Sequence, residues 1–117
     1  MTAAAGGCIC SIPSPDYLRL ERWTRSMWAA GSLACSPVQV AANLAEFADL
    51  VSFHGGWIPE RFNDVAEARF CFVHIDVDLL QPTREVLEFF YPRMVAGGLI
   101  VCDDYGFDTC PGARHAT

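Results

Sequence analysis

Two apolar runs in this chain end in pairs of carboxylates. Phe70-Cys-Phe-Val-His-Ile-Asp-Val-Asp78 sets Asp76 and Asp78 two residues apart, and Gly97-Gly-Leu-Ile-Val-Cys-Asp-Asp104 sets Asp103 beside Asp104. A strand buried in a sheet has no reason to finish on acids unless those side chains leave the sheet together. In an open parallel sheet, ligands bind in the crevice at the carboxyl ends of the strands. Four acids gathered there repel one another unless a cation sits among them or some stay protonated. Three carboxylates with waters and substrate oxygens suit an octahedral hard cation such as Mg²⁺. The fourth is then free to act as a base. For any one Asp, a helix cap or a solvated turn is the better explanation; two pairs at two strand ends favour a site.

The elements that position these acids follow from periodicity. Residues 69–77 read as a strand, apolar between Arg69 and Asp76 apart from His74, which suits a strand covered on both faces. If that strand persists to Asp78, Asp76 and Asp78 share a face. Adjacent Asp103 and Asp104 would point oppositely in an ideal strand, so the chain is expected to turn there. Val86, Leu87, Phe90 and Tyr91 recur at helical spacing over residues 83–94, Gly97-Gly98 stops that helix, and residues 98–102 form the next strand. A connection of that length containing a helix implies a parallel, right-handed crossover. Upstream, residues 50–54 read as a short strand ended by Gly55-Gly56, and Trp57-Ile-Pro59 leads into a short helix or turn to about Ala66. Ser36-Pro37 caps a helix carrying Val38, Ala41, Ala42 and Ala45. The pattern is α/β, with a mostly parallel sheet and crossover helices. Residues 1–28 form an unassigned leader, loop plus a short helix from Asp16, and residues 29–117 an incomplete domain.

Composition narrows the class. The chain has 117 residues, is 52% apolar and 19% charged, and carries a net charge of −6. That charge argues against a nucleic-acid surface, and the apolar runs are too short to cross a bilayer. No basic, apolar signal segment opens the sequence, so a cytoplasmic protein is the expectation. The six cysteines read as reduced thiols: Cys71 and Cys102 lie in strand patterns, Cys35 and Cys110 in loop-like stretches. Cys8 and Cys10 lack the further ligands a structural zinc needs. His74 reads as a buried structural histidine, His54 as a loop residue, and Arg84 and Arg93 as surface residues. Tyr105-Gly-Phe107, directly after the acids, could form a lid or substrate-contact loop.

All eight basic residues are arginine. A phosphatase of the haloacid dehalogenase type would use Asp-x-Asp with a lysine to balance phosphoryl charge, and there is none. Glycosyltransferases hold a metal–nucleotide-sugar with Asp-x-Asp, usually in a more irregular loop. Neither rival accounts for the second acid pair and the sequence leading to it.

His74-Ile-Asp-Val-Asp-Leu79, Gln81-Pro-Thr-Arg84, Glu88-Phe-Phe-Tyr-Pro-Arg93, Val101-Cys-Asp-Asp-Tyr-Gly-Phe107 and Thr109-Cys-Pro-Gly-Ala-Arg114 closely resemble the macrocin O-methyltransferase family. Phe53-His-Gly-Gly-Trp-Ile-Pro-Glu-Arg-Phe62 resembles its upstream block. The resemblance implies a partial Rossmann-like class I methyltransferase domain. It also implies methyl transfer from S-adenosylmethionine, assisted by Mg²⁺, to the hydroxyl of a glycoside in natural-product tailoring. Carried over, the metal ligands fall on Asp76, Asp103 and Asp104, and the general base on Asp78. Gly56 and Trp57 fall near the adenine side of the cofactor. Leu80 stands where the family usually has tyrosine, and Ala96 replaces the proline of a Pro-Gly-Gly turn. No acidic-x-Gly-x-Gly turn follows an early strand, so the metal half of the site is expected and most of the cofactor half is not. On that reading the chain is a truncated form, active or a non-catalytic fragment, whose bare sheet edges would favour association with another copy.

Overall fold

A computed structural model of the chain describes residues 36–117; the expected helix from Asp16 lies outside the described residues. Four α-helices and two strands carry the fold: α1 (Pro37–Asn43), α2 (Ile58–Arg61), β1 (Phe70–Ile75), α3 (Leu80–Phe90), β2 (Met94–Cys102) and α4 (Pro111–Ala116). Short 3-10 turns follow α2 (Phe62–Val65), α3 (Tyr91–Arg93) and β2 (Asp103–Gly106). α1 starts as its sequence requires, with the Ser36 hydroxyl accepting the Gln39 amide at 3.2 Å and Pro37 in the first turn.

β1 and β2 pair in parallel, joined by the crossover through α3. The core forms where α2 and α3 cover one face of this pair. Ile58, Val73, Ile75, Val86 and Phe90 are its buried members. Phe90 meets Phe70 edge-on at 4.9 Å, and Phe62 stacks on Phe89 at 4.2 Å. α3 has no side-chain cap at Leu79; instead the wholly buried Thr83 donates its hydroxyl to the Leu79 carbonyl at 2.6 Å. Gln81 and Glu85, one turn apart, bond at 2.7 Å on the outer face.

Four sequence expectations need correction. Residues 50–54 are not a strand. A strand is held by ladder partners, and the sheet of the described residues consists of β1 and β2 alone. Among the described residues, β1 is covered on one face, not two: Val73 and Ile75 point into the core, whereas Phe72 and His74, out of phase with them, are exposed. β1 also ends at Ile75, before either of its acids. Gly97-Gly98 does not stop α3, which ends at Phe90. The two glycines lie inside β2, where the register jumps from Phe70↔Met94 to Phe72↔Leu99. Gly97 takes φ +81 there, and a Cβ on Gly98 would come within 3.1 Å of the Cys71 carbonyl oxygen. A bulge of this kind needs residues without side chains.

Candidate active site

The sheet register builds the site. Ile75 pairs with Cys102 as the last rung of the ladder, so the residues that follow, Asp76 and Asp103, emerge side by side from one sheet edge. After Cys102 the chain winds into a 3-10 turn rather than continuing extended. Successive residues of such a turn are rotated by roughly a third of a circle, so adjacent Asp103 and Asp104 need not face opposite ways. As a result Asp76, Asp103 and Asp104 each present a carboxylate oxygen within 4.8 Å of the others. Asp76 and Asp103 are exposed, and Asp104 is buried.

Asp78 arrives by a different route from the continued strand. It takes φ +58, and the amide of Leu79 bonds back to the Val77 carbonyl at 2.6 Å, making Asp78 the centre of a three-residue turn. Turns of that size with a positive central φ are rare and strained. Strain of this kind persists where surrounding contacts over-determine it, and two contacts do so here. The Asp78 amide donates to Asp104 Oδ2 at 2.9 Å, and the Cys110 thiol donates to Asp78 Oδ1 at 3.4 Å. Asp78, Asp104 and Cys110 thus form a second close group that shares Asp104 with the first.

The electrostatics match a site short of positive charge. Partial burial, and then the charges of Asp104 and Asp103, push the Asp76 carboxyl above its usual range. Burial likewise raises Asp78, opposed by the Cys110 hydrogen bond and reinforced by Asp104 and Asp76. Burial pushes the Cys110 thiol up to about 11, so it is a donor at neutral pH. His74 Nε2 lies 3.5 Å from Asp103 Oδ1, on the exposed side of β1. The expectation of a buried structural histidine there is corrected, because the strand alternation turns His74 away from the core. Three acids whose negative charges raise the cost of ionising one of them fit a divalent hard cation, which removes that cost. Asp76, Asp103 and Asp104 are the residues that would hold it.

Gly56 and Trp57 lie immediately before α2. Gly56 takes φ +133, with the Arg61 side chain 3.1 Å from where its Cβ would be, and Trp57 is the N-cap of α2. Arg61 pairs with Asp64 through bonds of 2.9 and 2.8 Å, and His54 Nδ1 joins the same carboxylate at 3.0 Å. Those partners hold Asp64 below the usual carboxylate range, the Arg61 hydrogen bond foremost. This network closes the turn on itself, and it gives His54 a partner that the sequence did not reveal.

Cys110 and His74 are the site neighbours that sequence reasoning missed. For His74 the alternation of Val73 and Ile75 was the available signal. For Cys110 it was the Cys-Pro-Gly run, which places a small side chain directly before a helix start. Tyr105, Gly106, Phe107, Asp108 and Pro111 line a cleft of about 330 Å³ that begins at the residue after Asp104.

The fold is a partial α/β methyltransferase fold. Its solved neighbours include the apo structure of CalS11, a TDP-rhamnose 3'-O-methyltransferase of calicheamicin biosynthesis. That match has TM-score 0.56 and 20% identity over 73% of this chain and 44% of the other. A second CalS11 structure, the calicheamicin methyltransferase, matches at TM-score 0.60 and 18% identity over 78% of this chain and 41% of the other.

The chain belongs to the macrocin O-methyltransferase (TylF) family, whose model matches residues 8–117. Among curated relatives, the 8-demethyl-8-(2,3-dimethoxy-alpha-L-rhamnosyl)-tetracenomycin-C 4'-O-methyltransferase of Streptomyces olivaceus is 34% identical over 86% of this chain. The mycinamicin III 3''-O-methyltransferase of Micromonospora griseorubida is 33% identical over 57% of it. The chain spans 40% of the length of the first relative and 26% of the second. Among the described residues, no helix is long and apolar enough to cross a membrane.

Proposed function

We propose that this chain carries the metal-and-base half of an O-methyltransferase that moves a methyl group from S-adenosylmethionine to a sugar hydroxyl of a glycoside. Membership of the macrocin family supports the class of reaction, and the first curated relative, whose name gives a rhamnosyl tetracenomycin, supports the acceptor. The observation that carries the reading is the grouping of Asp76, Asp103 and Asp104 with Asp78 held beside them.

Bound at the three acids, Mg²⁺ would lower the pKa of an adjacent hydroxyl and fix its orientation. The chain's own part is the proton. Asp78, whose carboxyl burial raises above the usual carboxylate range, is suited to accept the hydroxyl proton, since a raised pKa makes a carboxylate a stronger base. When bound, the sulfonium donor would supply the methyl group and leave as a neutral thioether, while Asp78 would take the proton that the acceptor hydroxyl gives up. The cleft at Tyr105–Phe107 is where the sugar would lie. Gly56 and Trp57 are assigned to the adenine side of the donor, with Arg61 already against Gly56. No described residue is offered for the methionine part of the donor.

Calorimetric titration with Mg²⁺ and with S-adenosylmethionine separately tests both halves. Binding of each, with methyl transfer to a rhamnoside lost in Asp78→Asn while Mg²⁺ affinity is kept, is the expected result. Mg²⁺ binding without donor binding or transfer would reduce the chain to a metal-binding unit. Absence of Mg²⁺ binding would remove the proposed site altogether.

A further inference from the structure

Cys110 takes no part in that chemistry, yet it is buried at 8% exposure with its sulfur 3.4 Å from Asp78 Oδ1. Resting on the reading of Asp78 as the base, we propose that Cys110 is a positioning residue. Its S–H group donates to Oδ1 and fixes the rotation of the Asp78 carboxylate, leaving Oδ2 for the proton of the acceptor hydroxyl.

The need for such a group is intrinsic to aspartate. Its terminal torsion has broad, roughly two-fold wells, so the backbone alone does not orient the carboxylate, even when the Asp104 carboxylate grips the Asp78 amide. The thiol supplies a directed constraint, beside the side-chain contact that Asp78 also makes with Asp104. A thiol is a weak donor, so it directs the carboxylate without neutralising it as an ammonium or guanidinium would.

The donor is itself fixed. The Cys110 amide bonds to the Phe107 carbonyl at 3.0 Å, its carbonyl accepts the Ala113 amide at 3.1 Å, and the Thr109 hydroxyl lies 3.7 Å from its sulfur. Two residues on, Gly112 presses against the start of α3: a Cβ there would lie 2.5 Å from the Leu80 nitrogen. α4 is therefore seated on the backbone just beyond Asp78, and the partners of the thiol–carboxylate bond ride on contacting elements. A buried cysteine that merely fills space would not need this aim.

The test uses the full chain and its Cys110→Ala and Cys110→Ser variants. Infrared difference spectra of wild type minus Cys110→Ala isolate the Cys110 S–H stretch, which moves to lower wavenumber when the hydrogen is shared with a carboxylate. The shifted band is expected, and it should return to the free-thiol position in Asp78→Ala. In transfer assays, Cys110→Ala is expected to lower kcat about tenfold, the scale of a modest misplacement of a reacting group. KM for the glycoside and the calorimetric affinity for Mg²⁺ should hold, and Cys110→Ser should recover most of the loss. A free-thiol band in the wild type overturns the inference whatever the activity. A shifted band with equal kcat in wild type and Cys110→Ala overturns the positioning role. A shifted band in a wild-type chain that transfers no methyl group overturns the proposed activity, and with it the catalytic purpose of the bond, while the bond itself stands.

Discussion

The amide of Asp78 lies 2.9 Å from Asp104 Oδ2, so one acid of the site holds the backbone of another in place. Asp104 thereby has two duties, as a member of the acid cluster and as the acceptor that stabilises a strained turn. The two separate by substitution. Asp104→Asn keeps an oxygen for the Asp78 amide and removes the charge; Asp104→Ala removes both. Both variants should lose Mg²⁺ affinity by more than the roughly 10–100-fold that loss of an outer partner costs. Only Asp104→Ala should also lose stability, by about 1–3 kcal/mol, the cost of leaving a buried donor unsatisfied. Calorimetry and urea unfolding of the pair read the two effects. Equal stability of the two variants would show that the amide bond contributes nothing.

The raised carboxyls of Asp76 and Asp78 set a pH dependence with a definite sign. Burial first, and then neighbouring acids, hold both above the unfolded value of about 3.9. Between that value and the raised folded values, the folded chain binds more protons than the unfolded one. Stability of the metal-free protein therefore falls as pH rises through this window. Asp64, held low by Arg61 and His54, acts in the other direction, losing stability as pH falls, and in a lower window. Thermal unfolding from about pH 4 to pH 7 should show a decline that Asp76→Asn reduces and saturating Mg²⁺ reverses. A metal-free chain that gains stability across that range contradicts the picture of crowded acids.

What the sequence made legible here were the contacts that depend on chain order. The crossover through α3, the parallel pairing and the meeting of two acid pairs follow from apolar runs, a connection length and a shared sheet edge. Asp78's turn was not legible, because a positive φ in an aspartate is fixed by Asp104 and Cys110, which lie 26 and 32 residues away. Residues 50–54 have strand-like composition, but a strand needs a partner that composition does not supply. A glycine pair suits a helix stop as well as a bulge, and the sheet register decides for the bulge at Gly97-Gly98. His74 and Phe72 lie in a continuous apolar run that conceals an alternation with one exposed face.

Arg93 illustrates a further gap between composition and role. It reads as a surface charge, yet its Nε donates to the Ala66 carbonyl at 2.9 Å and its Nη1 to the Phe89 carbonyl at 2.7 Å. Its guanidinium also lies 3.9 Å over the Phe89 ring, whose other neighbour is Phe62. Arg93 thus pins the end of α3 to the turn after α2. Arg93→Ala should cost about 2 kcal/mol from the lost bonds and cation–π contact. Arg93→Lys should recover only part, since an ammonium lacks the planar fork. Denaturant midpoints measure the series, and a neutral Arg93→Ala would return Arg93 to the surface role.

Among the described glycines, Gly112 makes the sharpest steric statement. A Cβ on it would stand 2.5 Å from the Leu80 nitrogen and 3.1 Å from the Leu80 Cα. These are backbone atoms at the start of a helix, unable to rotate away, so α4 itself must move. Gly112→Ala should destabilise by about 1–3 kcal/mol, the usual cost of forcing atoms into a packed contact. Gly106 provides the control: its Cβ would meet nothing within 4 Å and its backbone needs no positive φ. Gly106→Ala should stay within about 0.5 kcal/mol of wild type. Because α4 also carries Cys110 at its N-cap, the displacement in Gly112→Ala should weaken the shifted S–H band as well as the fold. Equal unfolding midpoints for the two alanine variants would mean that α4 is not seated on α3, and the route from Gly112 to the Asp78 carboxylate would be lost.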